Sequence, residues 1–263
     1  MSKYYNEYTD RKIYTWQKGH EMKNVEVMGT QTVEMPMWMI NNYIKSTCDN
    51  YTKLVYILKI IDIFSNEESD IVDIGISTTS VPINEDGIDF ENKLIRYVNY
   101  SEDERYSEKY CLMSHLSEKR ERDFFHYFSS CDRLVCFAIT SQNEVIFLYN
   151  PRGNEGIKVR DVSYHSPIDI GWGGLGECIE HLASARSIIR NDRRLQNEHE
   201  ARMVTQAMQT MREGINVQSM LQDTNLPGSY KEYLQNMYIG LMAKQEKLNE
   251  QIGIYCPGVD ERI

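Results

Sequence analysis

The chain has 263 residues, a formal net charge of −10, 41% hydrophobic and 26% charged residues, which excludes a disordered chain and allows one large domain or a compact domain with an appendage. No stretch reaches the roughly 18 apolar residues that a membrane span needs, and the polar, Tyr-rich first ten residues lack the basic start and apolar core of a signal peptide. The expectation is a cytoplasmic protein with no membrane partner.

Residues 11–17 and 24–34 read as short strands, the second alternating Val25 and Val27 before a Gly-Thr turn at Gly29. Pro36 opens an apolar stretch, Met37-Trp38-Met39-Ile40, followed at helical spacing by Tyr43 and Ile44. Asp49 is read as the N-cap of a further helix running to Phe64, apolar on nearly every face and therefore central in its domain. Residues 71–77 alternate as a strand. Residues 78–90 carry turn signals, and 117–128 read as a helix presenting Phe124, Phe125 and Phe128.

Residues 134–140 and 144–149 are β-branched and aromatic and are joined by Ser141-Gln142-Asn143, which predicts a hairpin. Their near-continuous apolar character predicts central positions in a sheet. Residues 157–164 are expected as a third strand of a meander. At Ser166-Pro167 the pattern changes, and the run Gly171-Trp172-Gly173-Gly174-Leu175-Gly176 reads as a joint before a helix. The fold expected is α+β: a body of residues 1–166 with a mixed or antiparallel sheet and helices, then a helical arm of residues 167–263.

The arm begins near Glu177, with Ile179, Leu182 and Ile189 docking on the body. Residues 190–202 are almost wholly polar. Val204, Met208, Met211 and Ile215 then return at 4-3-4 spacing, a coiled-coil seam. Asn225-Leu226-Pro227-Gly228 breaks the helix. A second seam of Tyr230, Leu234, Met237, Leu241, Leu248 and Ile252 follows, with a seven-residue gap after Leu241. Two seams joined by a short turn predict an antiparallel helical hairpin. A lone hairpin buries too little to offset its ordering entropy, so it should pack on its own body, on a second copy, or on another protein.

Charge is segregated. Thirteen acids and three bases between Asp62 and Glu108 carry the whole net charge of −10. Arg186, Arg190, Arg193, Arg194, Arg202 and Arg212 outnumber Asp192, Glu198 and Glu200 on the tail helix, over residues 186–212. The arginine-rich stretch suits an acidic surface of the same or a neighbouring chain, or nucleic acid. Aromatic interleaving for single-strand binding is missing, so a homo-oligomer or another protein is the favoured partner.

Other constellations are less complete. Asp70, Asp73, Asp86 and Asp89 border a strand and a loop, as acids do in metal-dependent hydrolases and nucleases. The glycine run matches no nucleotide-binding motif, and Glu177 at the helix start opposes an anion, so no cofactor is expected. Ser166, His181 and Asp169 make a formal triad without a nucleophile elbow. The six cysteines show no CxxC pair and read as reduced thiols. The function expected is a non-enzymatic oligomerising scaffold, sensor or adaptor acting through Arg186–Arg202, the first seam and Leu234, Met237 and Leu241. The alternatives are a hydrolase using the acids of 70–89 and a nucleic-acid-binding protein using the arginines.

Overall fold

A computed structural model describes residues 13–16, 20–29, 35–65, 69–77, 110–112, 128, 134–142, 144–151, 153–163, 169–183, 185, 217–222, 224–226 and 228–255. In chain order their elements are β1 (Met22–Gly29), α1 (Met37–Phe64), β2 (Ile71–Ser77), β3 (Tyr110–Leu112), β4 (Val135–Thr140), β5 (Val145–Phe147), β6 (Lys158–Ser163), β7 (Asp169–Leu175), α2 (Gly176–Ala183), α3 (Val217–Gln222), α4 (Gly228–Gln251) and β8 (Ile254–Tyr255). The class is α+β, with two four-stranded antiparallel sheets. Two compact units form, each from two stretches of chain: Met1–Gln17 with Tyr56–Asn150, and Lys18–Val55 with Pro151–Ile263. The change of pattern at residue 166 lies inside the second.

The first unit holds the sheet ordered β3-β2-β4-β5. Strand β4 is buried along nearly its whole length and pairs on both sides, as its continuous apolar run predicts. Strand β5 forms the expected hairpin with β4, closed where the Thr140 N–H donates to the Glu144 carbonyl at 3.0 Å. It is not central. Its other edge carries a parallel bridge from Ile13, with the Tyr14 N–H donating to the Phe147 carbonyl at 2.9 Å.

The α1 residues belonging to this unit supply Tyr56, whose hydroxyl donates to the Leu134 carbonyl at 3.1 Å and whose ring meets Phe128 and Tyr149 edge-on. Lys59 is fully buried; its Nζ donates to the Tyr14 carbonyl at 3.0 Å and lies 5.0 Å from the centre of the Trp16 ring. An aromatic face and a carbonyl thus replace the water that a buried ammonium loses.

The second unit holds the sheet ordered β6-β7-β1-β8. The glycine run expected as a joint is instead β7, paired with β1 and β6 at once: Trp172 faces Val25 on one side and Val159 on the other. The reason is space. A Cβ on Gly174 would lie 2.8 Å from Ile179 Cδ1 and 2.9 Å from the Tyr51 hydroxyl, so glycine lets that hydroxyl reach the strand. Tyr51 accepts from the Leu175 N–H at 2.8 Å and donates to the Glu155 carbonyl at 2.6 Å. Strand β6, expected to extend the hairpin into a meander, pairs with β7 instead.

Helix α1 also departs from expectation. It runs 28 residues without a break, and Asp49 lies in mid-helix. The polar stretch around Asp49 mimics a cap, but it contains neither proline nor glycine. Thr47 and Asn50 are buried and find partners on α4, so tertiary bonds override the cap preference.

At the C-terminus, α3 and α4 are joined by a short connection around which Val217, Leu221 and Leu226 are buried. Helix α4 ends at Gln251, and Gly253, whose φ is 61°, lets the chain turn into β8 beside Met28 and Gly29. Residues 186–216, where the first arm of the predicted hairpin falls, lie outside the described residues.

Candidate functional site

Tyr43, Thr47 and Asn50 form one stripe of α1, and Gln245 and Asn249 one stripe of α4. The Asn50 amide donates to Gln245 Oε1 at 2.9 Å. The Gln245 amide donates to Thr47 Oγ1 and to Asn249 Oδ1, each at 3.1 Å. The Tyr43 hydroxyl also donates to Asn249 Oδ1, at 3.2 Å, and the Asn249 amide reaches the Leu182 carbonyl at 3.4 Å. Rising numbers on α1 meet falling numbers on α4, so the helices are antiparallel partners. The ladder is uncharged and buried, and such polar contacts fix register. Beside it a cavity of about 10 Å³, lined by Val25, Tyr43, Thr47, Trp172 and Gln245 among others, has room for about one water molecule.

The same register brings the start of α1 to the end of α4. There the two helices leave a groove of about 320 Å³ lined by Trp38, Met39, Asn42, Tyr43, Leu248, Gln251 and Ile252. Trp38 is 68% exposed and Met37 53%. The core stripe of α1 takes Ile40, Tyr43, Thr47 and Asn50. Trp38 is two residues from Ile40, about 200° around a helix, and so shares a face with exposed Asn41, Asn42 and Lys45. A large aromatic side chain on a polar face, beside a groove, is the arrangement of an interaction surface.

A second buried contact joins α2 to α4. His181 Nδ1 and the Tyr238 hydroxyl lie 2.9 Å apart, with the rings edge-on. Burial lowers the His181 pKa to about 4, against a smaller opposing pull from Glu180. His181 is thus held neutral and committed to Tyr238.

Of the residues expected to bind a partner, Leu234, Met237 and Leu241 lie on α4 and are buried within the chain itself. Arg186, Arg190, Arg193, Arg194, Arg202, Val204, Met208, Met211 and Ile215 lie outside the described residues, as do Asp86 and Asp89. Asp70 is exposed just before β2. Asp73 is buried at the irregularity in β2, where its Oδ1 accepts from the Ile74 N–H at 2.8 Å. Among the described residues no group of three or more His, Cys, Asp or Glu is placed to hold a metal. At the start of α2 the Gly176 N–H donates to the Glu21 carbonyl at 2.8 Å, and Glu177 meets His20 at 3.0 Å. Ser166 lies outside the described residues, so of the formal triad only Asp169, at the start of β7, and His181, on α2, are placed. Cys136 and Cys178 are buried and not in disulfides, and the half-buried Cys48 thiol is pushed up to about 11, first by burial and then by Asp49.

Sequence reasoning placed Trp38 in an apolar stretch and Leu248 and Ile252 in a seam, but not in one groove. The signals were present: Trp38 falls off the core stripe, and the seven-residue gap after Leu241 is filled by Gln245, a polar residue at a seam position. No family model, curated protein or solved structure matches the chain.

Proposed function

We propose that this chain is a non-enzymatic, cytoplasmic protein-interaction protein, a scaffold, sensor or adaptor, that works from its C-terminal helical region and assembles with copies of itself. The observation that carries the reading is the exposed Trp38–Met37 pair beside the groove at the open end of α1 and α4. Tryptophan at the edge of a concave, largely apolar surface is the residue type that most often anchors a protein interface, and methionine adapts to what it meets.

The reading extends to the rest of the tail. Residues before α3 continue it backwards as the first arm of a hairpin with α4, with Val204, Met208, Met211 and Ile215 as a coiled-coil seam. The arginines from Arg186 to Arg202 pair with the acidic block between Asp62 and Glu108 of a neighbouring copy, which accounts for both charge asymmetries.

Light scattering on the full chain tests this. A concentration-dependent multimer is expected, weakened by salt and by Arg193→Glu with Arg194→Glu, and unchanged by Asp73→Asn. A multimer indifferent to salt and to the arginine reversals would remove the charge-pairing part. A monomer at every concentration would remove self-assembly.

A further inference from the structure

We infer that residues 13–16 are a releasable strap, closed over the edge of β5 and over the Lys59 ammonium, with Lys59 and Asp62 of α1 as its latch. The strap belongs to the first unit, together with Tyr56–Asn150, and opens without unfolding the sheet it covers. The device is separate from the interaction reading above and does not depend on it.

As backbone the strap is lightly held. Among the described residues it meets β5 at a single parallel bridge, Ile13 to Phe147, where the Tyr14 N–H donates to the Phe147 carbonyl at 2.9 Å. The sheet beneath has its own ladder: β4 pairs with β2 on one side and β5 on the other, and neither pairing uses the strap. Ile13, Tyr14 and Trp16 are only half-buried, and Thr15 is exposed. An edge position and few wholly buried apolar groups are the marks of a segment that opens locally.

What the strap covers is wholly buried. Lys59 is 0% exposed. Its Nζ donates to the Tyr14 carbonyl at 3.0 Å, and lies 5.9 Å from the centre of the Tyr14 ring and 5.0 Å from that of Trp16. A carbonyl and two ring faces of the strap thus stand where water would. On the same helix, Asp62 accepts from the Tyr14 hydroxyl at 3.0 Å. The strap is therefore gripped by a cation and a carboxylate. Such a grip releases at low net cost, because opening returns both charged groups to water. A grip of buried leucines would instead expose apolar area with nothing in return. Closed, the strap keeps the β5 edge from pairing with other chains, which open edges invite. Released, it presents that edge and a hydrated ammonium together.

Two probes on the full chain test this. One is amide hydrogen exchange resolved at single residues by NMR. The other is slow acylation of lysine amines by an N-hydroxysuccinimide ester, read by mass spectrometry. Lys53, 2% exposed on the same helix but in the second unit, is the internal control. The Tyr14 amide should exchange roughly 100-fold or more faster than the amides of β4, and Lys59 should be acylated well before Lys53. Tyr14→Phe keeps the ring and the carbonyl and removes the bond to Asp62. In that variant, exchange at position 14 and acylation of Lys59 should each quicken by about tenfold, with β4 and Lys53 unchanged. If position 14 exchanges no faster than β4, the strap opens only with the sheet, and local release is wrong. Fast exchange at position 14 with Lys59 as protected as Lys53 would mean that the strap does not cover the ammonium. A Tyr14→Phe variant that quickens β4 and Lys53 as much as position 14 and Lys59 also overturns the device.

Discussion

Tyr51 is the residue on which the second sheet most depends, because one hydroxyl satisfies two backbone groups that β7 and the preceding loop leave over. It accepts from the Leu175 N–H and donates to the Glu155 carbonyl. Tyr51→Phe keeps the ring and removes both bonds, leaving a buried donor and a buried acceptor. The loss should be about 1–3 kcal/mol in urea unfolding; a change within a few tenths would show that water takes over the hydroxyl's role. His181 gives a pH-dependent counterpart. Its pKa is about 4 in the folded protein against an ordinary 6.5, chiefly through burial. The unfolded chain therefore takes up a proton that the folded chain refuses. This contribution to stability is complete above pH 6.5 and fades as pH falls from 6.5 towards 4. The fall is on the order of 3 kcal/mol when complete. Comparing unfolding free energies of wild type and His181→Asn at pH 7 and pH 4.5 isolates it. The gap between the two proteins should shrink at the lower pH, and a gap that stays constant would mean His181 is not held neutral.

At the scale of elements, period and composition located most strands and the β4–β5 pairing, but they misjudged what β6 and the glycine run pair with. The hairpin of β4 and β5, strand β2 and the greasy half of α1 were legible because a two-residue alternation or a continuous apolar run has one cheap burial. The glycine run was not. Glycine normally marks a break in a strand, and only Tyr51 and Ile179, distant in sequence, make the missing side chains a requirement. The unbroken α1 and the partner of α4 were hidden for a related reason. Their pairing runs through Thr47, Asn50, Gln245 and Asn249, residue types that in isolation read as caps or surface. The candidate groove inherits that blindness, since it exists only where this register brings Trp38 beside Ile252. The ladder predicts a non-additive pair. Gln245→Leu alone strands the Asn50 amide and the Thr47 hydroxyl and should cost about 1–3 kcal/mol. Adding Asn50→Leu removes one stranded partner and should restore part of the loss, giving a favourable coupling term in a double-mutant cycle of unfolding free energies. Strict additivity would show that the two amides do not act as one network.

For the whole molecule, the decisive feature is that each compact unit is assembled from two separated stretches of chain. Composition suggested a body followed by an arm, because the change at residue 166 is abrupt in sequence. The second unit nevertheless takes β1 and residues 37–55 of α1 from the first part of the chain, and β1 sits between β7 and β8. A fragment of residues 151–263 therefore lacks the strand that pairs with β7 from Leu175 to Asp169 and the helix that carries the α4 ladder. It has helical propensity but no closed core; α2 and α3, of eight and six residues, are too short to be stable alone in water, and most helical stability in proteins comes from tertiary packing, which α4 loses here. Trp172 is the sole tryptophan of that fragment, and in the intact chain it is buried with Tyr43 6.2 Å away, edge-on. Its emission should be that of a water-exposed indole in the isolated fragment, without a cooperative transition in urea. Mixing with a fragment of residues 1–150 returns β1 and α1 and should shift the emission to shorter wavelength, saturating at one equivalent, if the two pieces recombine as the contacts dictate. That shift should survive Trp16→Phe and Trp38→Phe in the added fragment, which leaves Trp172 as the only reporter. A fragment of residues 151–263 that already buries Trp172 and unfolds cooperatively would mean that the C-terminal stretch is an autonomous arm, and the assembly of the second unit from two stretches of chain would then be wrong.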